Sequence, residues 1–212
     1  MKYIKLFESF QSDEEIHVIC KKYGIENYTI NNGVVDVNGD VNLNYKGLTK
    51  IPLNFGVVSG YFWCHNNQLT SLEGCPSGVG GEFWCSYNQL TSLEGCPSHV
   101  GGDFRCDDNQ LTSLEGCPSH VGGDFWCRDN QLTSLEGCPS HVGGNFSCND
   151  NPVHNIWKLI SSDNKFDSEI IDLFNDYDPI REDGIILDRL NDFLQAIGKE
   201  PVDGVVGYEI ID

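Results

Sequence analysis

Residues 62–82, 83–103, 104–124 and 125–145 are four near-identical copies of one 21-residue unit, F-x-C-x-x-N-Q-L-T-S-L-E-G-C-P-S-x-V-G-G-x. A fifth copy begins at Phe146 and stops at Asn151-Pro152. Upstream, Val41, Leu43, Leu48, Ile51 and Val58 stand 21 residues before Phe62, Cys64, Leu69, Leu72 and Val79, so a degenerate copy opens the array. One such unit is too short to bury its own apolar face. The copies must therefore stack, each covering the next.

The unit also says how a turn is built. The alternation Phe83-Trp84-Cys85 reads as a short strand with Phe83 and Cys85 pointing inward, and stacked copies give a parallel sheet with about 4.8 Å between turns. Asn67, Asn88, Asn109, Asn130 and Asn151 follow the strand, where the chain bends and stacked amides can pair backbone groups. Gly80-Gly81 and their equivalents are expected to permit the tight return by freeing φ. The fold class expected is an α/β repeat solenoid, a parallel-sheet coil of 21-residue turns with helices at both ends.

The flanks complete this reading. Ser12 and Glu15 form a capping box for a helix carrying Ile16, Ile19, Cys20 and Tyr23, and Asn31-Asn32-Gly33 reads as a hairpin turn before Val34-Val35. Residues 1–40 are thus expected to be an N-terminal cap of helix and hairpin, and residues 41–151 the solenoid. Residues 152–212 read as an α-helical C-terminal cap. Within it, 155–160 and 168–174 are short helices, and Ile186, Leu190, Phe193 and Ile197 mark a longer one ended by Gly198.

Of the ten cysteines, nine fall on two columns, Cys64, Cys85, Cys106, Cys127 and Cys148, and Cys75, Cys96, Cys117 and Cys138. Columns of five and four cannot pair completely, and a vertical row of thiols does not converge four ligands on zinc. Reduced, core-filling thiols in a cytoplasmic compartment are expected, with no metal and no other cofactor. The net charge of -19 lies mostly beyond residue 61, which disfavours nucleic acid and anionic membranes as partners and favours a basic or neutral protein surface. No run of residues is apolar enough to span a bilayer.

The core F-x-C-x-x-N-Q-L-T-S-L over residues 41–151 resembles the L-x-L-x-x-N-x-L core of leucine-rich repeats. Its short period, with Pro after Cys75, Cys96, Cys117 and Cys138, is similar to the short bacterial class found in secreted effectors. Cysteine at two Leu or Val stations and the Gly-Gly insertion depart from that class. Residues Met1–Phe10, with Leu6-Phe7-Glu8, resemble the leaders of proteins encoded by large tailed bacteriophages, which implies cleavage after Glu8. Such an origin implies a location in the host cytoplasm or the virion interior.

Copies that agree almost everywhere differ at a few stations. The middle strand station holds Trp63, Trp84, Arg105, Trp126 and Ser147, and the stations after it include Tyr87, Asp107, Asp108, Arg128 and Asp129. By strand alternation Trp63, Trp84, Arg105 and Trp126 face solvent on the concave side, with Arg105 between the rings of Trp84 and Trp126. Trp, Tyr and Arg are enriched in binding hot spots, so this stripe is the candidate partner-binding site, with Tyr87, Asp107, Asp108, Arg128 and Asp129 as its polar rim.

The His99, His120 and His141 column lies in what reads as a loop beside Ser98, Ser119 and Ser140. A catalytic centre is one set of residues rather than a row, so no catalytic residues are assigned. The expected function is non-enzymatic protein binding by a monomer or weak homodimer. One competing reading is a structural or ice-binding solenoid, whose Thr70, Thr91, Thr112 and Thr133 would form a single exposed row. The other is an effector-like protein with an enzymatic appendage in residues 152–212, which contain no cysteine.

Overall fold

A computed structural model describes residues 11–161, 166–181 and 184–211. The leader and its Glu8 lie outside the described residues.

The chain forms a repeat solenoid with two parallel sheets rather than one. The first joins Val41–Asn42, Phe62–Trp63, Phe83–Trp84, Phe104–Arg105, Phe125–Trp126 and Phe146–Ser147, in register at one repeat per strand. The degenerate copy is in phase, since Val41 pairs Phe62 and Asn42 pairs Trp63. The second sheet joins Asn54–Val58, Gly78–Val79, His99–Val100, His120–Val121 and His141–Val142. The histidine column therefore sits on strands, not in a loop. Each of these strands is only two residues long, with Val turned inward and His outward, too brief for a period-2 pattern to register.

Between the sheets lies a column of phenylalanines, Phe62 to Phe146, whose rings stack at centroid separations of 5.0–5.7 Å. Leu69, Leu72, Leu90, Leu93, Leu111, Leu114, Leu132 and Leu135 close the core, all fully buried. At the bend each Asn works as expected: Asn88 Nδ2 donates to Cys85 O at 2.9 Å and to Cys64 O of the preceding turn at 3.1 Å, and its Oδ1 accepts from Leu69 N at 3.0 Å. One amide thus pairs backbone groups on two turns that the bend would leave unpaired.

The Gly-Gly step has a different cause from the one expected. A Cβ on Gly101 would meet Gly80 O at 2.2 Å, and one on Gly122 would meet Gly101 O at 2.2 Å. Neither glycine has a positive φ. Their role is to let successive turns approach, backbone on backbone.

Helix α1 (Asp13–Tyr23) opens on the Ser12–Glu15 capping box and ends at Gly24 in the left-handed region, with Ile16 and Cys20 buried. Strands Tyr28–Asn31 and Val34–Val37 form the hairpin, its turn at Asn32 and Gly33 with φ of 51° and 79°. The hairpin extends the second sheet at its N-terminal edge. At the other end come α2 (His154–Ile160), α3 (Ser168–Tyr177) and α4 (Leu187–Ala196). Trp157 of α2 is buried against Phe146, the last ring of the column, at 4.9 Å. A small sheet of Ile180–Arg181, Gly184–Ile186 and Ile210–Ile211 accompanies the helices, where the sequence pattern indicates helices alone. No helix among the described residues is long and apolar enough to cross a membrane.

Candidate functional site

On the outer face of the phenylalanine sheet, Trp63, Trp84, Arg105 and Trp126 form one continuous stack. Trp63 and Trp84 lie 4.9 Å apart at 19°. Arg105 Cζ sits 4.6 Å from the Trp84 ring and 5.1 Å from Trp126. Two members extend it: Tyr61 stacks on Trp63 at 3.8 Å, and Arg128 Cζ lies 4.5 Å from Trp126. The stack thus runs Tyr61, Trp63, Trp84, Arg105, Trp126, Arg128. Each cation–π contact contributes about 0.5–2 kcal/mol.

Carboxylates hold both guanidinium groups in place. Asp103 Oδ2 accepts from Arg105 at 3.2 Å. Asp107 Oδ1 accepts from Arg128 Nε at 3.4 Å and from its backbone N–H at 3.1 Å. Asp107 is only 5% exposed, so it anchors the stack and does not belong to a solvent-facing rim. The difference arises because its carboxylate turns along the sheet to the next strand.

The rings are also less exposed than expected. Trp63, Trp84, Arg105 and Trp126 are half-buried, and the three indole N–H groups and Arg105 Nε are buried without a hydrogen-bond partner. Ring faces are spent on one another and on the guanidinium of Arg105.

The next column of interest is held by backbone geometry. Tyr45, Asn66, Tyr87, Asp108, Asp129 and Asp150, spaced by one repeat, all have φ of 51–57°. Asn and Asp tolerate this left-handed region, whereas a bulky ring there is an outlier. That explains Asp108 and Asp129 without any ligand. It does not explain Tyr45 and Tyr87, which are 71% and 55% exposed. The Asp108 carboxylate beside Tyr87 raises the tyrosine's pKa, first by its charge and then by a hydrogen bond. Tyr45 also meets the edge of His65, whose own ring lies 5.5 Å from Trp84. Burial pushes the His65 pKa down.

Tyr45 and Tyr61 join the face beyond the stations that the sequence marks, whereas His65 stands at one of those divergent stations. Tyr45 lies two repeats before Tyr87, and Tyr61 stands two positions before Trp63, just ahead of the strand Phe62–Trp63. That spacing was the available signal.

Elsewhere the candidate chemistry is engaged structurally. Ser98, Ser119 and Ser140 donate their hydroxyls to carbonyls of the preceding turn at 2.8–3.2 Å, not to the neighbouring histidines. Burial raises the thiols Cys75, Cys85, Cys96, Cys106, Cys127 and Cys138 well above the ordinary range, and pushes Cys117 and Cys148 up to about 12. Thiols held protonated are poor nucleophiles and poor metal ligands. The Thr70, Thr91, Thr112 and Thr133 row is exposed, but Thr70–Ser71 is not a strand, and Ser71 and Ser92 are exposed beside it, each accepting from a glutamate N–H. No group of three or more His, Cys, Asp or Glu side chains among the described residues could hold a metal ion.

Comparison of the chain with family models, with curated proteins and with solved structures finds no match.

Proposed function

We propose that this chain is a non-enzymatic protein-binding module of the leucine-rich-repeat kind, and that its partner, a host or virion protein of a bacteriophage, docks on the outer face of the phenylalanine sheet. The observation that carries this reading is the pair Tyr45 and Tyr87. Large rings in a left-handed backbone and in water cost stability, and outliers of that sort gather at functional sites. They flank the stations at which otherwise uniform repeats diverge. Tyrosine and arginine there supply contact area of the type that dominates hot spots.

The carboxylates Asp108, Asp129 and Asp150 along the same column favour a basic or neutral partner surface. Asn66 occupies the equivalent left-handed position between the two tyrosines, so Tyr45→Asn/Tyr87→Asn removes both rings without backbone strain. Affinity capture from host lysate should retain a defined protein on the wild type and on Glu115→Ala, and lose it on the double variant. Equal capture by all three would refute this face as the site.

A second reading, that the stack only stiffens the solenoid, is favoured by the buried indole N–H groups. It assigns Trp63, Trp84, Arg105 and Trp126 to stability and leaves the tyrosines to recognition.

A further inference from the structure

The left-handed column is tied from turn to turn by backbone hydrogen bonds: Tyr45 N–H donates to His65 O, Tyr87 N–H to Asp107 O and Asp129 N–H to Asn149 O, at 3.0–3.3 Å. Tyr45, Tyr87 and Asp129 follow one another at two repeats. Hydrogen-bonded strands stand about 4.7–4.9 Å apart, so these three stations recur at intervals of roughly 9.4–9.8 Å along the solenoid. Asn66, short and half-buried, lies between the two exposed tyrosines and leaves a gap there. Asp129 is exposed and makes no ion pair among the described residues, its neighbour Arg128 being held by Asp107.

We infer that the column takes a proline-rich segment in the polyproline II conformation, laid along the solenoid, with prolines three residues apart against Tyr45 and Tyr87 and an arginine or lysine three residues further on at Asp129. The inference rests on the reading of this face as the docking face and names what docks there. Period selects the occupant. A polyproline II helix returns to the same side every three residues, about 9.3 Å, and six residues span about 18.6 Å against roughly 18.8–19.6 Å for four turns of the solenoid. A β-strand returns to one face every 6.6–6.8 Å or so, which falls between one turn and two. An α-helix returns after seven residues, about 10.5 Å, and overshoots the column by more than 1 Å over its length. Tyrosine suits the ligand on both counts, since its ring packs on pyrrolidine and its hydroxyl can donate to the carbonyls that polyproline II leaves unpaired. The ligand is extended before it binds, so little ordering entropy opposes the contact. Asp129 and the net charge of -19 favour a cation at the far end.

The probe is a fluorescein-labelled peptide of six prolines flanked by an arginine at each end, which meets the spacing in either chain direction. Full-length protein is titrated into it at about 150 mM NaCl, which screens general attraction to an acidic chain, and anisotropy is read. Thermal melts confirm that each variant is folded. Wild type and Glu115→Ala should bind alike. A peptide with alternating glycine and serine in place of the prolines should bind at least about tenfold more weakly, because it must be ordered on the face. Tyr45→Asn and Tyr87→Asn, which suit the left-handed backbone, should each weaken binding at least about fivefold. Replacing both arginines of the peptide by glutamine should weaken binding to wild type, and Asp129→Asn should close that gap, since the same charge pair is then missing from either side. Absence of binding to wild type overturns the inference, as does equal binding of the glycine-serine peptide or unchanged affinity in Tyr45→Asn/Tyr87→Asn. If capture from host lysate still depends on the two tyrosines in that event, the face docks a folded surface and only this occupant is refuted. Loss of that dependence as well would refute the docking face itself.

Discussion

The guanidinium of Arg105 lies between the indoles of Trp84 and Trp126, 4.6 Å from one ring centre and 5.1 Å from the other, while its Nη2 is held by Asp103. Three consecutive turns of the solenoid are thereby joined on their outer face by a contact that no backbone hydrogen bond supplies. Arg105→Ala removes both cation–π contacts and should cost about 1–3 kcal/mol in urea unfolding, with Arg105→Lys recovering part of it. A loss within about 0.5 kcal/mol would mean that the stack adds nothing to stability.

The approach of successive turns at Gly80, Gly101, Gly122 and Gly143 is a second specific expectation. Gly101→Ala sets a Cβ 2.2 Å from Gly80 O, a rigid backbone atom, and should destabilise by about 3 kcal/mol or more. Gly78→Ala is the matched control, because a Cβ there meets nothing within 4 Å and the equivalent turns carry His. It should stay within about 0.5 kcal/mol of wild type. Thermal or urea unfolding of the two variants checks this, and equal effects would contradict the backbone-contact account.

Stability should fall as pH drops from 7.5 to 5. The folded-state pKa values of His65, His120 and His154 are all lowered, each with desolvation as the leading cause. The unfolded chain, with ordinary imidazoles near 6.5, therefore binds more protons than the folded one once the pH falls below about 6.5. The loss begins there and is complete below the folded values. His120→Gln should flatten the dependence in a pH series of melts, and an unchanged slope would show that the stacked row does not resist protonation. The carboxylates with lowered values, Glu15 and Asp178, act in the same direction but only at more acidic pH.

Much of this architecture can be read from the repeat itself. Phe83 and Cys85 must face inward because a single turn has nothing else to bury, and Asn88 must sit where the chain bends because only an amide can serve two turns at once. The Ser12–Glu15 box and the Asn32-Gly33 turn are local chemistry and appear where expected. Other features depend on neighbours that are 21 residues away. Within the regular copies the second sheet rests on two-residue strands, whose pattern is too short to distinguish from a loop. Gly101 looks the same in sequence whether it serves a positive φ or a close approach, and only the position of Gly80 O decides. Asp107 and Asp108 are adjacent and alike, yet one accepts from Arg128 on the next turn while the other sits in the left-handed column. Tyr61 lies just ahead of the strand Phe62–Trp63, so its stacking on Trp63 is set by the path of the chain into the strand and not by a repeat station.

The exposed tyrosines are the most direct test of the functional account, since their replacement separates recognition from folding. Once a partner is in hand, its affinity for wild type and for Tyr45→Asn/Tyr87→Asn is to be measured by calorimetry, with the melting temperature of each protein recorded in the same buffer. The account predicts binding weaker by about 2 kcal/mol or more, roughly thirtyfold, with a melting temperature equal to or above that of wild type, because Asn suits the left-handed backbone better than Tyr. Unchanged affinity would contradict it, and recognition would then have to lie away from this face.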